Sequence, residues 1–146
     1  MDCVFCQIRD KQLDAHLIAE FSDCFVIMDK FPLNQGHVLV VAKTHAGSME
    51  QLPEHERHHM MDVAVKVTRA MKKASHKIKD VHYLINDGPV ANQHVPHVHL
   101  HIIPRYGWDL TKLLRRFLTR FIDPIDRLIG DKALAKWCSD IQKHLE

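Results

Sequence analysis

Residues 94–103 read HVPHVHLHII, with four histidines in eight positions and three of them, His97, His99 and His101, spaced two apart. Imidazole can ligate a metal, attack an electrophile or carry a proton near neutral pH. On an extended strand alternate side chains share a face, so Val98, Leu100 and Ile102 are expected to enter a core while the three histidines line the opposite side. Three readings stand open on these residues alone. The first is a polar strand face with no chemistry. The second is a metal site, which for a wholly metal-binding ladder requires more than one metal equivalent per chain. The third is a phosphate site in which one neutral imidazole attacks phosphorus and its neighbours donate hydrogen bonds to the charged oxygens.

A second chemical signal lies at the N-terminus. Cys3 and Cys6 in CVFC form a Cys-x-x-Cys pair, which lets one turn offer two thiolates to one ion. A tetrahedral zinc needs two further ligands, so an unmetallated thiol pair and a redox couple stand beside the metal reading. Cys24 and Cys138 read as buried apolar residues. With 20 basic and 18 acidic side chains the net charge is only +2, which argues against a global field for nucleic acid or an anionic membrane. The start MDCVFCQIRD is charged too early for a signal peptide, and no later run has the apolar length of a membrane span. The expectation is a soluble cytoplasmic protein whose cysteines form no structural disulfides.

The elements that must position these residues follow from periodicity. CFVIMDKFP and GHVLVVAKTH are short β-branched runs separated by the turn signal PLNQ, which predicts an antiparallel hairpin or meander. Met60, Ala64, Val67, Met71, Ala74 and Ile78 recur at steps of three and four, which predicts an amphipathic helix over roughly residues 53 to 79. VHYLIND and HVHLHIIPR are further strand candidates, the second closed by Pro104. Strands, a long helix and more strands predict an α+β domain with a mainly antiparallel sheet. Beyond it, Leu110, Leu113, Leu114, Phe117, Leu118, Phe121 and Ile122 keep helical spacing, DPID interrupts it, and Leu134, Trp137, Cys138, Ile141 and Leu145 resume it, predicting two C-terminal helices. Lys112, Arg115, Arg116 and Arg120 form a basic strip, which reads as a solvated face or an anion or partner surface. The length suits one domain, residues 1–146, with a core of about 3–106 and a helical C-terminal extension of about 108–146.

The run HVHLHII fits His-φ-His-φ-His-φ-φ, with φ apolar, and resembles the signature of the histidine triad (HIT) superfamily of nucleotide hydrolases and transferases. CVFCQI, MDKFPLNQGHVLVVAKTH, NDG and NQHVPHVHLHIIPR stand in the order and at about the spacing found in bacterial HIT proteins. The resemblance implies a HIT-like fold. It also implies an enzyme that cleaves dinucleoside polyphosphates, nucleotidyl phosphoramidates or similar conjugates at the α-phosphate of a purine nucleotide. In that reading His99 is the nucleophile, one of its ring nitrogens donating to a backbone carbonyl of the triad strand. His101 contacts the phosphate and His37 supports it. Asp29 takes the ribose hydroxyls, Lys30 supplies pocket backbone, Asn86 binds near the α-phosphate, and Gln93 corresponds to the nucleotide-binding glutamine just upstream of the triad. Phe25, Phe31 and Leu33 offer apolar surface to the base or pack in the core.

Two departures stand out. Many relatives read Gly-Gln-Ser or Gly-Gln-Thr ahead of the triad, whereas this chain has Asn92, Gln93 and His94. His94 replaces a hydroxyl donor and can donate to phosphate or protonate the leaving group; Asn92 tolerates a positive φ better than most residues. The resemblance further implies a structural zinc held by Cys3, Cys6, His45 and His97, no organic cofactor, and a homodimer whose sheets join across a two-fold axis. A nucleotidyltransferase follows if an acceptor other than water resolves the intermediate. A non-catalytic nucleotide-binding module that engages a partner through the basic C-terminal helices is the competing class.

Overall fold

The computed structural model describes residues 3–119 and 130–145. Five strands form one antiparallel sheet: β1 (Leu17–Glu20), β2 (Cys24–Met28), β3 (Val38–Ala42), β4 (Asp80–Ile85) and β5 (His99–Arg105), in the order β1-β2-β3-β5-β4. Among the described residues four α-helices accompany it: α1 (Val4–Arg9), α2 (Glu54–Ala74), α3 (Leu110–Thr119) and α4 (Asp131–Gln142). The expected hairpin is β2–β3, with Phe25 opposite Val41 and Ile27 opposite Leu39.

Alternation along the central strands divides the protein into two apolar layers. Val26, Val40, Leu100 and Ile102 face α2, joining Met60, Ala64, Val67 and Met71, and Leu134, Cys138 and Ile141 of α4 complete that core. Phe25, Ile27, Leu39 and Val41 face the other way and pack with Cys3, Phe5 and Cys6. β5 pairs with β3 so that His99 is opposite Val41 and His101 opposite Leu39. The histidines therefore belong to this second layer, as their spacing predicts.

Three boundaries differ from the sequence expectation, the first being that β5 begins at His99, so His97 precedes the strand. The long helix ends at Ala74 rather than near residue 79. Ser75 is extended, and the Ile78 N–H donates to the Ser75 carbonyl in a short turn that drops the Ile78 side chain into the core. Apolar spacing thus outlasts the helix, because the turn into β4 keeps using the same buried face. Pro104 does not close β5, which continues to Arg105. Its carbonyl accepts from the Asn34 amide, on the flank away from β4, so the missing N–H removes no bond to the neighbouring strand.

The two C-terminal helices are present with different fates. α4 buries Leu134, Cys138 and Ile141, whereas no residue of α3 is buried and Leu110, Leu114, Phe117 and Leu118 stay exposed. Phe121, Ile122, the DPID interruption and Arg120 lie outside the described residues. α4 docks by laying Trp137 on Gly36, which has φ +80° and where an added β-carbon would lie 3.2 Å from the indole. Gly36→Ala is therefore expected to cost about 1–2 kcal/mol from the left-handed backbone alone, with the indole contact adding to it; urea unfolding measures the loss.

Candidate active site and metal centre

The sheet face opposite α2 carries a cavity of about 910 Å³. Its floor is apolar: Val4, Phe5 and Ile8 from α1, Ile27 from β2 and Leu39 from β3. Asp29, Lys30 and Phe31 form one wall, and Asn86, Asn92 and His94 approach from the loop after β4. His99 and His101 also reach the cavity, although each is more than nine-tenths buried.

The hydrogen bonds assign roles to the ring nitrogens. His99 Nδ1 lies 2.7 Å from the His97 carbonyl, which can only accept, so Nδ1 carries the proton and Nε2 the lone pair. This is the carbonyl contact expected for the middle histidine. His37 is wholly buried and does not line the cavity. The Leu33 N–H donates to His37 Nδ1 at 3.0 Å, so in neutral His37 the proton sits on Nε2. His37 Nε2 in turn lies 3.0 Å from His101 Nδ1. With both rings neutral, His101 accepts there and holds its own proton on Nε2, its Nδ1 lying 3.8 Å from Asp29 Oδ2. The chain of contacts turns one backbone N–H into a donor at the third triad position.

Asp29 is almost fully buried. One carboxylate oxygen accepts from the Phe31 N–H at 2.8 Å and the other lies 3.4 Å from His37 Nδ1. Gln93 does not line the cavity: its Oε1 accepts from the Gly88 N–H and its Nε2 donates to the Gly47 carbonyl, which ties together the loops on that side. Asn86 Nδ2 donates to the Asn92 carbonyl at 3.3 Å, and Asn92 has the anticipated positive φ, 68°. Of the three apolar base candidates only Phe31 faces the cavity; Phe25 and Leu33 are buried.

Behind the triad, Cys3, Cys6, His45 and His97 bring their ligand atoms within 4.8 Å of one another. Cys3 Sγ lies 3.3 Å from His97 Nδ1, Cys6 Sγ 3.4 Å from His45 Nδ1, and the two Nδ1 atoms 3.2 Å apart. A tetrahedral zinc, with bonds of about 2.3 Å to sulfur and about 2.0 Å to nitrogen, needs donors about 3.3–3.8 Å apart. The donor set fits. His97 Nε2 donates to the Ala42 carbonyl at 2.7 Å, which aims the Nδ1 lone pair at the cluster. Burial pulls the His97 pKa down, keeping the ring neutral as a ligand must be. Cys24 and Cys138 are buried apart from this cluster, burial pushing the Cys24 thiol up to about 12, and all four cysteines are free thiols.

The arrangement in space matches the order in sequence, and residues 10–108 match the HIT domain family. The chain belongs to the histidine triad family. It is 33% identical over 105 residues to the adenosine 5'-monophosphoramidase of Schizosaccharomyces pombe, covering 72% of this chain and 75% of that one. The adenylylsulfatase of Arabidopsis thaliana is 30% identical over 147 residues, covering 99% of this chain and 70% of that one. A zinc-bound histidine triad family protein from Mycobacterium smegmatis superposes with a TM-score of 0.76 at 28% identity, over 98% of this chain and 95% of the other. The five-stranded HIT fold is thus shared, C-terminal helices included in the span.

The residues that sequence reasoning missed form the cavity floor and its far rim. Ile27 and Leu39 were findable, because alternation places them on the triad face. Val4, Phe5 and Ile8 arrive on α1, too short to show a period. His16, Asp131 and Leu134 meet at the rim, with His16 Nε2 2.7 Å from Asp131 Oδ1; they lie 115 positions apart, and no local pattern announces the pairing. No helix among the described residues is long and apolar enough to cross a membrane.

Proposed function

We propose that the protein is a nucleotide hydrolase that cleaves dinucleoside polyphosphates or nucleotidyl phosphoramidates at the α-phosphate. One observation carries the reading: the His99 Nδ1 contact with the His97 carbonyl, which leaves the lone pair on Nε2 at the wall of a nucleotide-sized cavity. The activities named for the S. pombe and A. thaliana relatives support the same class.

In this mechanism His99 Nε2 attacks the α-phosphorus, the bond to the leaving group breaks, and a nucleotidyl-histidine forms. His101 donates from Nε2 to a phosphate oxygen, and its charge-dispersing contact strengthens as negative charge builds. His94, on the loop side of the cavity, protonates the departing group. Water then attacks phosphorus, the P–N bond breaks, and the nucleoside monophosphate leaves with His99 restored. Asp29 accepts from the ribose hydroxyls, Lys30 and Asn86 line the path of the nucleotide, and Gln93 acts through the loop it ties down. The base lies on the apolar floor of Val4, Phe5, Ile8, Ile27 and Leu39.

Zinc on Cys3, Cys6, His45 and His97 would be structural, supplying a cross-link and no chemistry at phosphorus; His97 is then a ligand and does no acid–base work. No organic cofactor enters this scheme. The chain acts as a single HIT domain in the cytoplasm, as a homodimer joined through the edge strand β4, on which Tyr83 is exposed. A nucleotidyltransferase is the second reading, because the same intermediate accepts any nucleophile that reaches it.

The test is a panel of adenosine 5'-phosphoramidate, adenylyl sulfate and diadenosine tetraphosphate, with products identified by chromatography, with and without added acceptors. Release of AMP is expected. Tight binding by calorimetry with no product would instead mark a non-catalytic binding module.

A further inference from the structure

The turn 33–37 delivers His37 to His101, and four consecutive residues of that turn are gripped from the C-terminal part of the chain. Arg116 Nη1 donates to the Leu33 carbonyl at 3.5 Å. The Asn34 amide donates to Asp109 Oδ2 at 2.7 Å. The Tyr106 hydroxyl donates to the Gln35 carbonyl at 2.6 Å. The Trp137 indole lies against Gly36. Asp109 is itself braced by Arg105 and by the Tyr106 N–H, so the grips on Asn34 and Gln35 share one support. Three of the four gripping residues, Asp109, Arg116 and Trp137, lie beyond the matched HIT domain, which ends at residue 108.

Turns are usually the loosest part of a fold, whereas this one is buried except at Gln35 and restrained at every residue before His37. What it carries explains the need. Leu33 supplies the N–H that sets the His37 tautomer, and His37, two contacts from the cavity, sets that of His101. A turn that rocked by a fraction of an ångström would release the Leu33 contact, let the His37 proton move to Nδ1, and convert His101 from donor to acceptor at Nε2.

We infer that the C-terminal segment is a clamp on this turn, with Trp137 and Tyr106 as positioning residues that hold His101 as a hydrogen-bond donor toward the phosphate. The inference rests on the phosphate-binding role proposed above for His101. It gives the C-terminal extension a task in catalysis that touches neither substrate nor nucleophile.

The experiment compares Trp137→Ala, Trp137→Phe and Tyr106→Phe with the full chain, by steady-state kinetics on the best substrate of the panel and by two-bond 15N–1H spectra of the histidine rings. Trp137→Ala is expected to lower kcat by on the order of ten- to a hundredfold and leave KM little changed, since Asp29 and the apolar floor are untouched. Its His101 spectrum should show mixed tautomers. Trp137→Phe should restore most of both properties, and Tyr106→Phe should show a smaller loss of the same kind. If Trp137→Ala does not fold, Tyr106→Phe, which removes a single hydroxyl, decides. Wild-type kcat and an unmixed His101 tautomer in the folded variants would overturn the clamp, as would a loss confined to KM or a wild-type spectrum with the His37 proton on Nδ1. If the wild type turns over no nucleotide conjugate, the ring spectra still decide, so failure of the clamp and failure of the hydrolase reading are distinguishable.

Discussion

The His99→Ala variant is expected to lose turnover by about 10⁴-fold or more, because it removes the atom proposed to form the covalent bond. The effect should fall on kcat. The cavity floor, Asp29 and the loop residues are unchanged, so nucleotide affinity should survive. Removing His101 or His94 leaves an intact nucleophile and should cost less, in line with the smaller worth of a single donor or proton-transfer group. A stereochemical measurement sharpens the test. Attack by His99 followed by attack by water inverts phosphorus twice, so a substrate made chiral at the α-phosphorus should give product of retained configuration. Inversion, or turnover by His99→Ala at the wild-type rate, would remove the nucleophile from the account.

The second large effect is expected from removing the zinc proposed on Cys3, Cys6, His45 and His97. Zinc bound a thousandfold above its dissociation constant stabilises by about 4 kcal/mol, which for a domain of this size is a fall in Tm of about 10 °C when a chelator strips it. Cys3→Ser and His45→Ala should reproduce the fall and no longer respond to chelator. The consequence reaches the nucleotide site through α1. That helix carries Cys6 on the metal side and Phe5 on the cavity side, where the Phe5 ring centroid lies 5.7 Å from His97 and 5.0 Å from His99. Stripped protein should therefore show a raised KM along with its lowered Tm. Burial and the neighbouring Cys3 push the Cys6 thiol above its ordinary pKa, so zinc must displace a proton and its affinity should rise with pH. In the metal-free chain burial holds the His97 pKa below 6.5. The unfolded chain then binds a proton that the native one refuses, so this contribution to stability is full above about pH 6.5 and declines as pH falls below it. Melting curves across that range, with and without chelator, check both signs.

Much of the fold was legible because it rests on local periodicity. Alternation in Val98–Ile102 placed the histidines opposite the α2 core, and the steps of three and four from Met60 to Met71 marked the helix. Periodicity misled where burial and secondary structure part company, as at Ile78, buried from a turn, and at Leu114 and Phe117, which keep a helical stripe without being covered. Pro104 misled because a proline is a strand breaker only where its N–H is needed.

Of the candidate site, residue types and spacing determined which groups can do chemistry, three imidazoles on one strand face and a thiol pair, while Asp29 and the two histidine partners of the thiols came from the resemblance to the histidine triad family. What each imidazole does was decided in three dimensions. His97, His99 and His101 are chemically identical and evenly spaced, yet one faces a thiol cluster, one donates to a carbonyl and one accepts from His37. A tautomer is set by which atom lies within about 3 Å of each nitrogen, and that atom comes from a strand, a turn or a helix distant in the chain. The same holds for the clamp on residues 33–37, whose gripping partners come from 71 to 101 positions further along the sequence. Local pattern fixes the supply of reactive groups; packing of remote segments assigns their protons.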